Sequence, residues 1–438
     1  MSLKQVILAA HFPGVNNQTV WSDPEAGSQI DFSSFRHFAQ AAERGKLDFI
    51  FLAEGLRVRE QKGKLHELDV VGRPNTLAVL AALAGVTRHI GLAGTLTTTF
   101  NEPYALARQL ATLDILSNGR AAWNVVTSPG AFTGANFRRD DFLPHGERYE
   151  RAAQLIDASR ALWDAAGGDG RLDVTTRHFD VHGHVALPAL PQGHPVILQA
   201  GDSDAGREFA ASHADAIFSR HGTLEDGQAF YADVKARLAK YGRKPDDLKI
   251  LPGAAFVLGD TEEEAREKHR AIRLQQVGPK NAIVLLEQLW NRDLSAYDPD
   301  GPLPEVDPDV SDHKLARGRT RQHDDVLAAA REWREIAERD KLSIRDLIIR
   351  VTDRQWFIGT PDTVAREIDR YVQADASDGF ILVPHLIPGG FDSFVDKVVP
   401  LLQERGVFRK DYAGTTLRGH LGLGAARKAD AAALRAAS

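Results

Sequence analysis

The stretch Pro195-Val-Ile-Leu-Gln-Ala-Gly-Asp-Ser-Asp-Ala-Gly-Arg-Glu-Phe-Ala210 decides the fold, because it joins an apolar run to a helical pattern through a glycine turn. Val196 to Ala200 is short, continuous and apolar, as expected of a strand that is buried on both faces. Ser203 stands at the start of the helical pattern, where a hydroxyl caps free backbone N–H groups. The stretch therefore predicts one strand–turn–helix unit of a parallel α/β fold.

The same alternation of an apolar run and a helical pattern occurs eight times along the chain. The predicted strands are Gln5 to Ala10, Phe49 to Ala53, Ile90 to Gly94, Ala121 to Val126, Val196 to Ala200, Ala216 to Phe218, Ile250 to Leu258 and Gly379 to Val383. The predicted helices are Ser33 to Arg44, Asn75 to Val86, Tyr104 to Leu116, Glu147 to Trp163, Ser203 to Ala211, Leu224 to Tyr241, Thr261 to Ile272 and Thr360 to Val372. Eight units favour a closed (βα)8 barrel over an open doubly wound sheet, which usually has fewer strands and a G-x-G-x-x-G fingerprint that is missing here.

Two segments interrupt the alternation. Gly167 to Leu190 contains glycine, histidine and proline, and Gln276 to Gln355 is a long insertion before the eighth strand. Within it, the prolines of residues 298–304 prevent regular structure, because they remove N–H donors and fix φ. We therefore expect a single barrel over residues 1–423 with insertions at about 167–190 and 276–355, followed by an Ala-rich C-terminal tail at 424–438 that forms a frayed helix or an arm.

Composition restricts the kinds of ligand. The 438 residues are 43% hydrophobic and 26% charged, and the formal net charge of −6 has both signs interleaved, so no basic surface for nucleic acid or anionic lipid is evident. The absence of cysteine excludes disulfides, iron–sulfur clusters and thiol nucleophiles. The longest apolar stretch, Leu77 to Val86, is far shorter than the roughly 18 residues of a membrane span. We expect a cytoplasmic protein that binds small molecules.

Functional residues of such a barrel gather at the C-terminal ends of its strands. The polar residues at those positions are His11, Glu54, Thr95, Thr97 to Thr99, Asn124, Thr127, Ser128, Gln199, Gly201, Ser203, Arg220, His221 and His385. A rim of hydroxyls and amides suits hydrogen bonding to a large neutral or phosphorylated ligand. With few carboxylates and no cysteine, the rim is poorly suited to a metal ion.

The turn after the fifth predicted strand has three interpretations. Backbone amides at the helix start, together with the Ser203 hydroxyl, form a site suited to a phosphate. The segment is equally consistent with a plain N-cap and tight turn. Gly201 to Gly206 also lies one residue away from a G-x-S-x-G nucleophile elbow, but its second glycine is displaced and no Asp and then His follow at strand ends.

Other polar residues also have two interpretations each. His145 and Tyr149 lie four positions apart at a helix start, so they face one side, either towards a phosphate or ring or as a solvated histidine and a packed tyrosine. Glu54 is either a functional acid or an ion-pair partner of Arg57 or Arg59.

Two strand-end histidines are the candidates for acid–base catalysis. His11 follows the first predicted strand and His385 follows the eighth. A lone histidine at a strand end is more often a structural one with satisfied hydrogen bonds. The residues alone assign no catalytic group.

Several motifs, in the same order along the chain, resemble those of the bacterial luciferase-like flavin monooxygenases. The chain resembles in particular the branch with nitrilotriacetate, long-chain alkane and dibenzothiophene-sulfone monooxygenases, from the first strand to about Leu423. The motifs are Glu43-Arg-Gly-Lys-Leu-Asp-Phe49, Ala111-Thr-Leu-Asp-Ile-Leu-Ser117, Arg120-Ala-Ala-Trp-Asn-Val-Val-Thr-Ser128, His145-Gly-Glu-Arg-Tyr149, Pro195-Val-Ile-Leu-Gln-Ala-Gly201, Gly206-Arg-Glu-Phe-Ala210, Ile358-Gly-Thr-Pro361 and Thr416-Leu-Arg-Gly-His-Leu-Gly422.

The resemblance implies a luciferase-like barrel that receives reduced FMN from a separate NAD(P)H-dependent flavin reductase. The flavin would react with O2 to a C4a-peroxide and oxygenate a small organic substrate, in a homodimer or homotetramer. By matching positions, the resemblance assigns the isoalloxazine and ribityl chain to Glu54, Thr97, Asn124 and Ser128. It assigns the phosphate to Tyr149, Gly201 and Ser203, with His145 nearby.

The chain also departs from the family. Glu54 stands where family members commonly have Asp, which leaves its contact with the flavin open. His11 stands where family members often have an apolar or aromatic residue, which leaves the substrate preference open. The expected lid segments, residues 11–30, 57–73 and 276–355, show the least resemblance, so a sulfone, an aminopolycarboxylate, an alkane and a halogenated aromatic all remain compatible. Three alternatives are kept: a deazaflavin (F420)-dependent hydride-transfer enzyme, a non-catalytic flavin-binding protein, and a serine hydrolase acting through Ser203.

Overall fold

Eight parallel strands form a closed barrel in the computed structural model, which describes residues 3–13, 18–20, 22–65, 73–128, 131–137, 145–311, 315–317, 325–353, 356–429 and 434. The strands are β1 (Ile7–Phe12), β2 (Phe49–Leu52), β3 (Gly91–Thr97), β4 (Ala121–Val126), β5 (Val196–Ala200), β6 (Ala216–Ser219), β7 (Lys249–Leu258) and β8 (Gly379–Val383). Each strand pairs with the next, and β8 pairs with β1 to close the ring. The predicted (βα)8 barrel is confirmed.

Helices connect the strands and cover the barrel. They are α1 (Phe32–Arg44), α2 (Thr76–Ala84), α3 (Pro103–Leu116), α4 (His145–Ala165), α5 (Asp204–His213), α6 (Leu224–Arg237), α7 (Glu262–Gln276), α8 (Pro279–Trp290), α9 (Val326–Asp340), α10 (Ile344–Val351), α11 (Pro361–Gln373), α12 (Asp392–Lys397), α13 (Val399–Glu404) and α14 (Leu417–His420). The side chain of Ser203 caps α5 and that of Thr360 caps α11, as predicted. Among the described helices, none combines the length and apolar character that a membrane span requires.

Side chains alternate between the barrel interior and the helical layer along each strand. The interior cluster consists of Ile7, Ala9, Phe49, Phe51, Ala93, Ala122, Val196, Leu198, Ala216, Leu251, Ile381, Leu417 and Leu421. Since the alternation has a period of two, His11, Thr95, Thr97 and Asn124 also point into the barrel, nearer its carboxyl end. The strands thus bring polar side chains from β1, β3 and β4 to one end of the interior.

The opposite end of the barrel is closed by α14, which we call the floor helix. Leu417 packs so tightly beneath β3 that a Cβ on Gly91 would lie 2.6 Å from its Cδ1 atom. Arg418 forms a buried ion pair with Asp215, with Nη2 and Oδ2 2.9 Å apart. Asp215 also accepts a hydrogen bond from the backbone N–H of Ile197 at 2.9 Å, so the pair fixes the floor helix to β5 and β6.

The two insertions form structures of their own. Residues 167–190 contain a β-hairpin of Arg171–Thr175 and Asp180–His184. The second insertion contains α8, α9 and α10 around a separate apolar core that includes the fully buried Trp290. The proline-containing segment 298–304 has neither helix nor strand, as predicted.

The structure contains one parallel strand that the sequence did not predict. β7 is ten residues long, so it extends beyond its pairing with β6 and pairs again with Trp356–Gly359. The four-residue apolar run is too short to stand out at the end of a long insertion.

The structure describes the tail only in part. Residues 424–429 form no helix, the backbone N–H of Ala429 donates to Asp164 Oδ2 at 2.8 Å, and the expected frayed helix or arm over Arg427 to Ala437 stays a prediction. Residues 430–433 and 435–438 lie outside the described part of the chain. The division into a barrel at 1–423 and a tail at 424–438 stays a prediction.

Candidate functional site

Loops from several strands meet at the carboxyl end of the barrel. Arg57, after β2, donates to the carbonyl of Phe132, after β4, and its guanidinium lies 3.8 Å from the centre of the Phe132 ring. On the other side, the backbone N–H of Val20 donates to the carbonyl of His385 at 2.8 Å, which joins the loops after β1 and β8. These contacts lie above the polar end of the barrel interior, and we call this region the mouth.

Thr97 is the centre of a hydrogen-bonded group at the mouth. Its buried hydroxyl oxygen accepts the backbone N–H groups of Thr99 at 3.2 Å and Ser128 at 3.4 Å. Its own backbone N–H donates to Glu54 Oε2 at 3.3 Å. Three residues predicted to contact the cofactor, Glu54, Thr97 and Ser128, are therefore brought together at the ends of β2, β3 and β4.

Glu54 is a half-buried acid without an ion-pair partner among the described residues. Arg57, one of its two proposed partners, instead forms an ion pair with Glu60 at 3.5 Å. Burial raises the pKa of Glu54 to about 7, although the hydrogen bond from Thr97 partly opposes the shift. Near neutral pH the side chain is therefore a mixture of carboxylate and carboxylic acid, able to accept or donate a proton at the mouth.

Asn124 presents an unsatisfied hydrogen-bond acceptor to the barrel interior. Its Nδ2 donates to Thr95 Oγ1 at 3.0 Å, whereas Oδ1 is buried and has no partner. An unpaired buried carbonyl is unfavourable, and native proteins rarely leave one without a water or a ligand. The geometry therefore calls for an N–H or O–H donor above Asn124.

The two candidate acid–base histidines both lie at the mouth, on neighbouring strand ends. His11 Nδ1 is 3.1 Å from the carbonyl oxygen of Phe51. Because a carbonyl only accepts, Nδ1 carries the hydrogen, and in the neutral ring Nε2 is an acceptor. Burial lowers the pKa of His385 to about 4, despite the opposing charge of Asp23, so His385 is neutral at pH 7. Neither position by itself establishes a catalytic role.

The turn after β5 is tightly packed against Gln199 and the first turn of α5. A Cβ on Gly201 would lie 2.5 Å from Gln199 Nε2, and one on Gly206 would lie 3.0 Å from the Gly201 carbonyl oxygen. Ser203 Oγ accepts the N–H of Gly206 at 3.1 Å, which leaves the serine O–H available as a donor. No hydrogen bond joins Ser203 to a histidine whose side chain is described, so the hydrolase alternative lacks a visible base.

The N-terminal part of α4 packs against the middle of α5. Tyr149 packs on Phe209 of α5, with ring centroids 5.4 Å apart. The backbone of His145 begins α4, but its side chain lies outside the described atoms. The structure therefore places Tyr149 against the helix that follows the Gly201–Ser203 turn and leaves the position of the His145 imidazole untested.

The sequence reasoning overlooked Arg148, although it lies within the quoted motif His145-Gly-Glu-Arg-Tyr149. Its Nε atom is buried without a hydrogen-bond partner. Arginine in the first turn of a helix usually extends into solvent, so the sequence alone gave no reason to select it.

In the described part of the chain, no cluster of three or more His, Asp or Glu side chains has an arrangement that would hold a metal ion.

Comparison with known proteins identifies the family. The sequence profile described as "Luciferase-like monooxygenase" matches residues 11–378. The chain belongs to this family. This luciferase-like protein is 39% identical to N-acetyl-S-(2-succino)cysteine monooxygenase of Bacillus subtilis (strain 168), over 96% of this chain and 97% of that protein.

Two further relatives support the family assignment. Nitrilotriacetate monooxygenase component A of Aminobacter aminovorans is 40% identical to this luciferase-like protein, over 92% of this chain and 93% of that one. A solved structure of riboflavin lyase with modified FMN and substrate riboflavin superimposes with a TM-score of 0.78 at 28% identity, over 96% of this chain and 97% of that one. The resemblance drawn from the sequence motifs is confirmed, and so is the expected enzyme class of monooxygenase.

Proposed function

We propose that this chain is the oxygenase of a two-component flavin monooxygenase. It takes reduced FMN from a separate NAD(P)H-dependent flavin reductase and uses O2 to oxygenate a small organic substrate. The observation that carries the proposal is the unpaired Asn124 Oδ1 beside the Glu54–Thr97–Ser128 group, in a barrel that shares most of its length with known monooxygenases. A mouth lined by hydroxyl and amide groups suits hydrogen bonding to an organic cofactor.

The residues at the mouth fit FMN on two counts. The Asn124 acceptor needs a donor such as a flavin N–H, and the Ser203 O–H at the start of α5 is available as a donor to a phosphate. In this proposal Glu54, Thr97, Asn124 and Ser128 border the isoalloxazine and ribityl chain, and Tyr149, Gly201 and Ser203 hold the phosphate, with His145 nearby. Bound reduced FMN supplies the electrons that activate O2, and the protein orients the reactants and excludes water.

Loss of either phosphate contact is expected to weaken flavin binding. Ser203→Ala and Tyr149→Phe each remove one hydroxyl donor, which corresponds to roughly 1 to 3 kcal/mol for a bond to a charged group. Titration of oxidised FMN, followed by flavin fluorescence, measures the effect. Thr223→Ala is the matched control, because Thr223 caps α6 as Ser203 caps α5. Unchanged affinity in both test variants would place the phosphate elsewhere.

The oxygenase reaction itself is tested by stopped-flow spectroscopy. The protein is mixed with anaerobically reduced FMN and then with O2, and we expect slow reappearance of oxidised FMN through an absorbing transient that free flavin lacks. Binding of a deazaflavin in preference to FMN, with no response to O2, would support the hydride-transfer alternative. Tight FMN binding without oxygenation of any substrate would support the non-catalytic alternative. The substrate screen starts with nitrilotriacetate and N-acetyl-S-(2-succino)cysteine, after which the two relatives are named.

The remaining features of the proposal concern assembly and location. We propose a cytoplasmic homodimer or homotetramer that contacts the reductase only to receive reduced FMN. Analytical ultracentrifugation of the purified chain measures the number of subunits, and a monomer would contradict this part of the proposal.

A further inference from the structure

The loop after β4 contains a short helical segment, residues 131–137, which we call the cover segment. Its Phe132 ring lies against the Arg57 guanidinium, whose central carbon is 3.8 Å from the ring centre, and the same guanidinium donates to the Phe132 carbonyl. Asn136 Nδ2 donates to the carbonyl oxygen of Leu56 at 3.0 Å. Two separate contacts therefore fasten the cover segment to the loop after β2.

These contacts cross the end of β3, because β3 lies between β2 and β4 in the barrel. Two strand spacings separate β2 from β4, which is roughly 10 Å, so a long side chain such as arginine is needed for the span. Phe100, in the loop after β3, stacks on Phe137 of the cover segment with ring centroids 4.5 Å apart and ring planes 4° apart. The three loops thus form an arch at the end of β3, where Glu54, Thr97 and Ser128 meet.

The contact between Arg57 and Phe132, which we call the latch, is suited to opening. Both side chains are half-buried, and a cation over an aromatic ring at such a site is a weak interaction. Glu60 lies 3.5 Å from Arg57 Nη2, so the guanidinium keeps a charged partner in its own loop when Phe132 moves away. The base of the loop is held separately, since the backbone N–H of Ser128 donates to Thr97 Oγ1. The cover segment can therefore move without disturbing the polar group beneath it.

We propose that Arg57 is a positioning residue that holds the cover segment closed over the flavin site and sets how fast flavin enters and leaves. This inference rests on the proposed function. An enzyme that takes reduced FMN from another protein binds and releases flavin in every turnover, so a cover over its binding site has to open. The closed arch excludes water while flavin is bound, and the weak latch allows exchange.

The test is the rate of FMN exchange, measured by stopped-flow flavin fluorescence with the full chain and oxidised FMN. If flavin passes only through the open arch, a weaker latch raises the association and dissociation rates by the same factor and leaves the Kd unchanged. For Arg57→Ala we expect both rates to rise roughly tenfold. Arg57→Lys, which keeps a cation over the ring, should give intermediate rates, and Phe132→Leu should resemble Arg57→Ala. A thermal melt checks that each variant is folded.

A covalent latch tests the opposite change. The chain has no cysteine, so the pair Leu56→Cys and Asn136→Cys can be joined selectively by a short bis-maleimide. The crosslinked protein should exchange FMN more slowly than the same protein before crosslinking, by a factor of about ten or more. Lys4→Cys with Asp375→Cys is the matched control pair, because these exposed residues form an ion pair next to the starts of β1 and β8, at the opposite end of the barrel. Its crosslink should leave the exchange rate unchanged.

Arg370→Ala is the matched control for Arg57→Ala, because it removes an arginine that lies over the Tyr371 ring on α11. Unchanged FMN rates in Arg57→Ala, or fast exchange in the crosslinked arch, would overturn the inference. Faster dissociation alone, with a higher Kd, would show that Arg57 binds the flavin directly, and would also overturn it. If the unmodified protein binds no FMN, the proposed function itself fails, whereas FMN binding with unaltered exchange rates in the variants rejects only the latch.

Discussion

Replacement of Arg418 by Ala lowers the free energy of unfolding by about 3 to 5 kcal/mol, because it leaves the buried carboxylate of Asp215 without its cation. Asp215 cannot turn to solvent, since it also accepts the N–H of Ile197 at the start of β5. Urea denaturation measures the change. Arg370→Ala, which breaks an exposed ion pair with Glu367, is the matched control and should change stability by less than about 1 kcal/mol.

The pH dependence of the free energy of unfolding distinguishes loss of the Arg418–Asp215 ion pair from loss of the packing of the Arg418 side chain. Burial raises the pKa of Asp215, but the charge and hydrogen bonds of Arg418 and the Ile197 N–H outweigh burial and hold it below its usual value. A depressed folded-state pKa stabilises the protein above the unfolded pKa, and this contribution is lost as the pH falls through the folded value. In Arg418→Ala the deficit should therefore shrink in acid, where Asp215 is protonated. The double variant Arg418→Met with Asp215→Asn removes both charges and should recover much of the stability that Arg418→Ala loses. A deficit that is reduced neither by acid pH nor in this double variant would contradict the ion-pair explanation.

Replacement of Glu54 by Gln is expected to stabilise the protein at alkaline pH by up to about 3 kcal/mol. Burial raises the pKa of Glu54 to about 7, so the folded protein holds this proton more tightly than the unfolded chain. Folding stability is therefore lost as the pH rises from the unfolded pKa through the folded one. Glutamine removes this ionisation and retains an oxygen that accepts the Thr97 N–H.

Unfolding free energies at several pH values test this prediction. The two proteins should be equally stable at a pH of about 4 and diverge above about 7. Glu60→Gln is the matched control, because it removes a carboxyl of the same loop that forms an ion pair with Arg57 and should give no gain in alkali. A constant difference across the pH range would show that Glu54 acts through packing and not through its ionisation.

The strands were predictable because buried parallel strands are continuous apolar runs, which stand out between amphipathic helices. The glycines at positions 201 and 206 and the cap at Ser203 were predictable for a similar reason: each residue type meets a local backbone requirement. These features depend on neighbours in sequence. The positions of the polar residues at the mouth followed from the strand ends alone.

Features that depend on distant contacts were not predictable. The pair of Asp215 and Arg418 joins residues 203 positions apart, and no local pattern marks it. The charge state of Glu54 depends on its burial and on the absence of Arg57 as an ion-pair partner, because Arg57 pairs with Glu60. A sequence pattern gives the residue types at the mouth, but three-dimensional packing determines which of them lack a partner.

The position of the floor helix in the chain also bears on biosynthesis. A ribosome releases β8 before it releases Leu417 and Arg418, since synthesis proceeds from the N-terminus. Until then the nascent barrel has an open lower end, and Asp215 must remain hydrated or protonated there. Translation that stops between β8 and α14 therefore yields a chain with all eight strands but no closed core, a ready substrate for chaperones and proteases.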